Sequence, residues 1–188
     1  MATGEKDGAQ AMIPTAIPVP RLAGATRLLQ ICFVVDDLPT AMVDFGTCLG
    51  AGPWFLGPEP TDAPDGTVHR GVPTPLGARI ALGYADGLMI ELVEPLPGST
   101  TVFSEALAER GPGLHHFGFG TTDFDATVRD LIDRGRPPVF HSVTPRGARI
   151  VMVEDVIGHG AFEEYIELTP EGEAFYATMR AAAAREGE

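Results

Sequence analysis

Positive charge and cysteine are both scarce in this chain of 188 residues. Thirteen lysine and arginine residues stand against 26 aspartate and glutamate residues, which gives a formal net charge of −13, and Lys6 is the only lysine. Such an acidic surface repels phosphate backbones and anionic lipids, so neither nucleic acids nor membrane surfaces are expected partners. The two cysteines, Cys32 and Cys48, are too few for a disulfide framework and are typical of reduced thiols in a cytoplasmic protein.

Long apolar runs are lacking as well. No run of the sequence approaches the roughly 18 to 20 residues that a membrane-spanning helix needs. The stretch from Ala11 to Pro20 is apolar but contains three prolines, and it follows Lys6 and polar residues, which is not the pattern of a signal peptide. We expect a flexible N-terminal arm over residues 1–25. The remaining sequence, in a chain with 44% hydrophobic residues, can bury a sizeable core.

The tetrapeptide Gly-Ala-Arg-Ile occurs twice, at residues 77–80 and 147–150, and each copy opens an apolar, strand-like run. The segment QICFVVDDLPTAMVDFGTCLG has a counterpart in HHFGFGTTDFDATVRDLIDRG, and the tripeptide Ile-Glu-Leu occurs at residues 90–92 and 166–168. The offset between matched segments drifts from 86 to 70 to 76 positions, as insertions and deletions in loops would cause. We infer an internal duplication.

Each copy has the pattern strand–helix–strand–strand–strand, over about residues 27–95 and 114–170. In the first copy Asp37 is a good helix N-cap and is followed by apolar residues at helical spacing, and Asp123 has the same place in the second copy. The predicted fold class is therefore α+β, built from two tandem βαβββ modules.

Two further helices are predicted outside the copies. One is a linker helix over residues 99–110, which joins the two modules within a single domain at residues 26–170. The other covers the C-terminal residues 171–188, with Thr169 as a candidate N-cap and Pro170 suited to the first helical position. We expect packing or dimer-surface roles for both.

Four polar side chains interrupt apolar strands: Gln30, Glu91, His116 and Glu167. Taken singly, the glutamine suits a hydrogen-bonded scaffold, a glutamate can lie on the solvent face of a sheet, and His116, beside His115, can be a satisfied core histidine. A buried carboxylate is costly unless something compensates it. The duplication relates Gln30 to His116 and Glu91 to Glu167, and a pseudo-twofold axis would bring all four together. Three oxygen donors and one imidazole around one point predict a divalent metal site.

The repeat, the segments VVDDL and HHFGFG, and the order of these four residues resemble the vicinal oxygen chelate superfamily, which includes glyoxalases, bleomycin resistance proteins and extradiol dioxygenases. The resemblance covers about residues 27–170. The segments LHHFGFGTTDFDATVRDLIDRG and MIELVEPL are most similar to the methylmalonyl-CoA epimerase branch, although that branch usually has histidine where this chain has Gln30, a feature of glyoxalase I. The family implies paired βαβββ modules that form an open half-barrel around a metal ion.

Carried over to this chain, the resemblance implies that Gln30, Glu91, His116 and Glu167 bind one divalent ion (Mn, Co, Ni, Zn or Mg). Glu91 and Glu167 are the candidate catalytic residues, and the likeness to glyoxalase I points to Glu167 as the base and to Glu91 mainly as a ligand. A single imidazole among oxygen donors disfavours the two-histidine, one-carboxylate site of an extradiol dioxygenase. His115 could supply the second histidine only by pointing to the opposite face of its strand.

Most candidate substrate-binding residues lie in the long passage from Pro53 to Leu76, because in this fold the region after the first helix lines the mouth of the half-barrel. Trp54 suits either the core or a pocket wall, and Arg79 either an anionic substrate or a solvated strand edge. The full set of candidates is Trp54, Phe55, His69, Arg70, Arg79 and Arg149.

The predicted activity is that of a metal-dependent isomerase, epimerase or lyase, which moves a proton next to a carbonyl through an enolate or enediolate. One alternative is a metal-free protein that sequesters a hydrophobic drug or metabolite, and another is a tailoring oxygenase acting on an aromatic or polyketide-like substrate. The complete ligand set favours the enzyme, since a sequestering pocket gains nothing from buried carboxylates. The acidic surface argues against coenzyme A. We expect a small-molecule substrate and a homodimer.

Overall fold

The structure is a computed structural model and describes residues 22–60, 65–154 and 161–186. The predicted N-terminal arm lies almost entirely outside these ranges. The strands in these ranges are β1 (Ala25–Val34), β2 (Gly52–Leu56), β3 (Val68–His69), β4 (Val72–Pro73), β5 (Ala78–Ala85), β6 (Leu88–Pro95), β7 (Gly113–Thr121), β8 (Phe140–Val143), β9 (Arg149–Val153) and β10 (Phe162–Glu167). The helices are α1 (Leu38–Leu49), α2 (Val102–Arg110), α3 (Phe124–Asp133) and α4 (Pro170–Glu186). None of them is long and apolar enough to cross a membrane.

The strands form one open sheet in the order β2-β5-β6-β1-β7-β10-β9-β8-β3-β4. The first module contributes β1-β6-β5-β2 outward from the centre, and the second contributes β7-β10-β9-β8 in the matching order. Within each module the first and last strands pair in parallel, and β1 pairs with β7 antiparallel at the centre. The predicted fold, two tandem βαβββ modules in an open half-barrel, is confirmed.

The β3–β4 hairpin comes from the long passage after β2 but does not stay with its own module. It crosses to the opposite end of the sheet, where Val68 and His69 pair with His141 and Phe140 of β8. The two modules are therefore tied together at an edge as well as at the centre. The sequence pattern of the passage did not predict this pairing.

Local chemistry explains where the helices begin. The Asp37 side chain accepts a hydrogen bond from the backbone N–H of Thr40 at 2.8 Å, and Asp123 accepts one from Ala126 at 3.0 Å, so both are N-caps, as predicted. Thr169 caps α4 in the same way, since its hydroxyl oxygen accepts from the Gly172 N–H at 3.1 Å. Each cap satisfies a backbone donor that has no partner within the helix.

The helices cover the two faces of the sheet in pairs. On the outer face, α1 packs against Ile90 and Leu92, and α3 packs against Tyr165 and other residues of its module. The inner face is the one that carries Cys32 and Met89, and α2 and α4 pack there. The pseudo-equivalent helices α1 and α3 thus leave the inner face to the two helices outside the repeat.

Candidate metal centre

Four side chains from four adjacent strands meet on the inner face, and we call them the quartet: Gln30 from β1, Glu91 from β6, His116 from β7 and Glu164 from β10. The Gln30 side-chain amide donates to Glu91 Oε2 at 2.7 Å and to Glu164 Oε2 at 2.8 Å, and its nitrogen lies 3.2 Å from His116 Nε2. His116 Nε2 is also 3.2 Å from each of these carboxylate oxygens. No member of the quartet is more than 8% exposed.

The register of the parallel strand pairs explains why the two glutamates meet. Glu91 lies opposite Cys32, two residues after Gln30 on β1, and Glu164 lies opposite Gly118, two residues after His116 on β7. Because side chains alternate along a strand, each glutamate falls on the same face as the polar residue of its neighbouring strand. Glu164 is therefore the counterpart of Glu91 under the pseudo-twofold relation.

The structure corrects the fourth predicted ligand. Glu167 lies on the outer face, where the Arg149 guanidinium donates to its two oxygens at 2.9 and 2.7 Å. The hydrogen bonds from Arg149 hold the pKa of the Glu167 carboxyl below its ordinary value. Matching the two Ile-Glu-Leu tripeptides related Glu91 to Glu167, which lies three residues beyond the structural counterpart, Glu164. Because side chains alternate along a strand, a displacement by an odd number of residues moves the side chain to the other face.

A signal for Glu164 was present in the Gly-Ala-Arg-Ile repeat. Its offset of 70 positions relates Leu82 of β5 to Met152 of β9. In the sheet Leu82 pairs with Glu91, and Met152 pairs with Glu164. The offset of this motif, combined with the pairing of β5 with β6 and of β9 with β10, therefore relates Glu91 to Glu164.

Gly118 gives the quartet the space it occupies. A β-carbon added at Gly118 would lie 2.5 Å from Gln30 Cγ and 3.0 Å from Glu164 Oε2. Any larger residue at this position would push apart the side chains from β1 and β10. The glycine is thus explained by the close approach of the quartet, since its backbone conformation is ordinary.

The donor set fits a divalent cation. Glu91, His116 and Glu164 each offer one ligand atom, and these atoms lie within 4.8 Å of one another. The Gln30 amide nitrogen at their centre lies within 3.2 Å of two carboxylate oxygens and His116 Nε2, and turning the amide end for end would present its oxygen instead. Two buried carboxylates would balance the two charges of the ion.

Burial and mutual contact shift the pKa values of the quartet. Burial raises the pKa of the Glu164 carboxyl above its ordinary value, although His116 acts in the opposite direction. For His116, burial lowers the pKa, but contacts with Cys32 and Glu164 outweigh it, and the pKa lies well above the ordinary value. Strongly perturbed groups clustered on one buried surface are typical of functional sites.

The C-terminal helix α4 forms a wall beside the quartet, a more specific role than the packing expected from sequence. Its Tyr176 and Met179 pack on Tyr84 and Met89, and Met89 lies on the inner face two residues before Glu91. Burial, together with the carboxylates of Glu164 and Glu91, raises the pKa of the Tyr176 phenol. The helix is tied to β1 by the Arg27 guanidinium, which donates to both oxygens of Glu173 at 2.7 and 2.9 Å.

The two aromatic substrate candidates lie on different sides of the sheet. Phe55 meets Phe175 of α4 edge to face, with ring centroids 6.0 Å apart, and so belongs to the wall beside the quartet. Trp54 packs with α1 on the outer face, where its indole N–H donates to the Met42 carbonyl at 3.1 Å. Trp54 is half-buried and lines an apolar cavity on that face with Leu38, Met42 and Arg79, so it does not face the quartet.

The four remaining candidates are all held by other protein groups. His69 Nδ1 lies 2.8 Å from the Thr100 carbonyl oxygen, and the other three are engaged with carboxylates: Arg70 with Glu105 and Glu154, Arg79 with Glu94, and Arg149 with Glu167 and Asp125. Within the described ranges none of the four hydrogen-bonds to the quartet. Any role in substrate binding would require exchange of these partners.

Comparison with known proteins bears on the fold and the family. A sequence model of the Glyoxalase/Bleomycin resistance protein/Dioxygenase superfamily matches residues 29–152, a span that includes three of the four quartet residues. The chain belongs to this superfamily. A search of curated proteins finds no match.

Solved structures similar to this superfamily member include several epimerases. Methylmalonyl-CoA epimerase from Mycobacterium tuberculosis is 23% identical, with a TM-score of 0.59 over 87% of this chain and 97% of that chain. A Streptomyces coelicolor methylmalonyl-CoA epimerase variant in complex with 2-nitronate-propionyl-CoA is 24% identical, with a TM-score of 0.56 over 76% and 97%. A hypothetical protein from Bacillus halodurans is 20% identical, with a TM-score of 0.57 over 76% and 94%. These likenesses establish a shared fold, and they match the branch to which the sequence motifs pointed.

Proposed function

We propose that this chain is a metal-assisted epimerase or isomerase that removes and returns a proton at a carbon next to a carbonyl group. The observation that supports the proposal is the quartet, in which two buried carboxylates, an imidazole and an amide converge on one point. Such a set suits Mn, Co, Ni, Zn or Mg. When bound, the cation would stabilise the negative charge that develops on the carbonyl oxygen as the neighbouring carbon loses its proton.

Glu164 is the proposed proton-transfer group, in place of the Glu167 expected from sequence. Its carboxyl is 3% exposed, and burial raises its pKa above the ordinary value, which makes the carboxylate a stronger base. A carboxylate that binds a cation is a weaker base, so in the metal-loaded protein Glu164 would have to leave the ion before it could take up the substrate proton. Glu91 serves mainly as a ligand, and in the metal-free protein the Gln30 amide holds the two glutamates together by its two hydrogen bonds.

The two alternatives account less well for the quartet. A sequestering protein would bury Glu91 and Glu164 at a cost in stability and gain no binding from them. An oxygenase site with two histidines and one carboxylate would require a second imidazole among the quartet, but His115 Nδ1 lies against His116 Nδ1, on the side of that ring away from the carboxylates. Proton transfer needs only the groups that the quartet contains.

Protein purified without added metal is expected to hold about one divalent ion per chain, because four donors surround one position. In deuterium oxide the loaded protein is expected to exchange the α-proton of a carbonyl substrate. Methylmalonyl-CoA is the first compound to test, since several proteins of the same fold are methylmalonyl-CoA epimerases. Elemental analysis gives the stoichiometry, and mass spectrometry of the recovered substrate gives the exchange, with chelated protein as the control.

Metal content near zero, with no uptake of Mn, Co, Ni or Zn, would contradict the proposal and favour the sequestering protein. If the metal-loaded protein exchanges the α-proton neither of methylmalonyl-CoA nor of a panel of 2-oxo and 2-hydroxy acids, the proposed epimerase activity is wrong, while the proposed metal site stands. Chelation that abolishes exchange, followed by recovery on adding the ion back, is the expected result.

The proposal extends to assembly and location. We expect a homodimer, as the family resemblance implies, although one chain supplies all four members of the quartet. Light scattering at micromolar concentration measures the molecular mass directly. The mass of a monomer would contradict the proposed dimer without affecting the proposed metal site. A cytoplasmic location is consistent with Cys32 and Cys48, both of which are free thiols.

A further inference from the structure

His115 and His116 point into the same buried region although they are neighbours on a strand. In the pairing of β1 with β7, Cys32 lies opposite His116 and Phe33 opposite Leu114, so His115 is an extra residue in a β-bulge. A regular strand would send the two rings to opposite faces. The bulge instead brings His115 Nδ1 to 2.9 Å from His116 Nδ1, and both residues are completely buried.

The partners of His115 determine where the protons lie. Its Nε2 is 3.2 Å from the carbonyl oxygen of Val102, which can only accept a hydrogen bond. His115 Nε2 must therefore carry a proton, and the Nδ1 of a neutral His115 is then an acceptor. It follows that His116 Nδ1 carries the proton in the bond between the two rings. The remaining nitrogen of His116, Nε2, lies 3.2 Å from the carboxylates of Glu91 and Glu164 and is the one left to bind a cation, which would take the place of any proton there.

Aromatic packing fixes the His115 ring in this orientation. The ring of Phe162 stacks on one side at a centroid distance of 5.0 Å and an angle of 23°, and the ring of Phe103 lies at 4.6 Å. Both neighbours are well placed by the fold, Phe103 on α2 beside Val102 and Phe162 on β10 opposite His116. The His115 ring cannot turn over without disturbing this stack and losing the Val102 bond.

We propose that His115 is a positioning residue, which sets the His116 tautomer so that Nε2 faces the quartet as a ready metal ligand. The proposal rests on the proposed function in so far as a divalent cation binds there. A histidine ligand binds through one nitrogen while the other is held by a hydrogen bond, and the partner here is a second buried imidazole bonded to the first turn of α2.

Two substitutions at position 115 separate hydrogen bonding from packing. Phenylalanine keeps an aromatic ring between Phe103 and Phe162 but removes the acceptor, and His115→Phe is expected to weaken Zn²⁺ binding by about 10- to 100-fold. Asparagine places an oxygen close to the position of Nδ1, so His115→Asn is expected to recover a large part of that loss. His141→Phe, the same change at an exposed position, is the matched control. Competition with a chromogenic chelator measures the affinities.

The proton positions can be read directly by nitrogen-15 NMR of histidine-labelled protein. The chain has only five histidines, so the signals of His115 and His116 can be identified with the variants. In the metal-free and Zn²⁺-bound protein alike, we expect His115 to carry its proton on Nε2 and His116 to carry one on Nδ1. A proton on His115 Nδ1 would overturn the proposal, even if a variant at this position failed to fold.

The outcomes distinguish this proposal from the proposed function. If wild-type protein binds Zn²⁺ and His115→Phe binds it equally well, the positioning role is wrong and the metal site stands. If wild-type protein binds no Zn²⁺, the metal site is wrong, and with it the role of His115 as a ligand-positioning residue. Weaker binding by the phenylalanine variant, rescue by asparagine and the stated tautomers together support the proposal.

Discussion

Glutamine in place of Glu164 is expected to lower α-proton exchange by at least about 10²-fold, the range found for positioned acid–base groups. The amide keeps the size of the side chain and an oxygen donor but cannot take up the substrate proton, so most of the metal should remain bound. Exchange of solvent deuterium into the substrate, measured on fully metal-loaded protein, isolates the chemical step from the loss of the ion.

Glu167→Gln is the matched control, because it makes the same chemical change three residues along the same strand. It removes the negative charge that pairs with Arg149 on the outer face and is expected to leave exchange unchanged. Glu91→Gln is expected to weaken metal binding and to regain activity at high metal concentration. If Glu164→Gln exchanges at the wild-type rate, the base lies elsewhere. If Glu167→Gln loses activity instead, the assignment drawn from the strand register is wrong.

Alanine in place of Gly118 is expected to disrupt the quartet by steric pressure alone. The added methyl group would lie 2.5 Å from Gln30 Cγ, and this carbon cannot retreat while the amide end is held by both glutamates. Overpacking of this kind costs about 1–3 kcal/mol in the free energy of unfolding. The affinity for Zn²⁺ is expected to fall by on the order of 10-fold or more, as for other disturbances around metal ligands.

Gly120→Ala tests the same substitution two residues along β7. Its methyl group would meet Leu168 Cδ2 at 2.9 Å, the end of a flexible side chain that can rotate away. We expect a smaller loss of stability there and an unchanged Zn²⁺ affinity. Urea unfolding with a chelator present measures stability, and chelator competition measures affinity. Wild-type affinity in Gly118→Ala would show that the quartet tolerates the displacement and does not require a glycine at this position.

The elements that were predicted correctly are those with local causes. Asp37 and Asp123 cap the helices that follow them because a carboxylate near a free backbone N–H stabilises that terminus wherever it occurs. The two modules were recognisable because the duplication left the same motif at the start of β5 and β9. Gln30, Glu91 and His116 stood out because each is a polar residue in an apolar strand, and all three do meet.

Local sequence patterns could not predict where α4 and the β3–β4 hairpin pack in the fold. The sequence of α4 predicts a helix, but only packing decides that Tyr176 and Met179 cover the inner face beside the quartet. The hairpin pairs with β8, which is about 70 residues later in the chain, and no short-range signal encodes such a contact. The sequence left Trp54 open between the core and a pocket wall for the same reason, because its contact with Met42 on α1 depends on how the helix docks.

The sequence by itself determined the duplicated fold, the family and three members of the candidate site, since alternation, capping and repeated motifs are properties of neighbouring residues. Only the tertiary structure decided between Glu164 and Glu167. Both lie in one apolar strand, three residues apart, and the choice depends on the register of β10 against β7, which places Glu164 opposite Gly118 and turns Glu167 toward Arg149. The register is set by strand pairing together with the packing on both faces of the sheet. A shift by an odd number of residues turns every side chain of the strand to the opposite face.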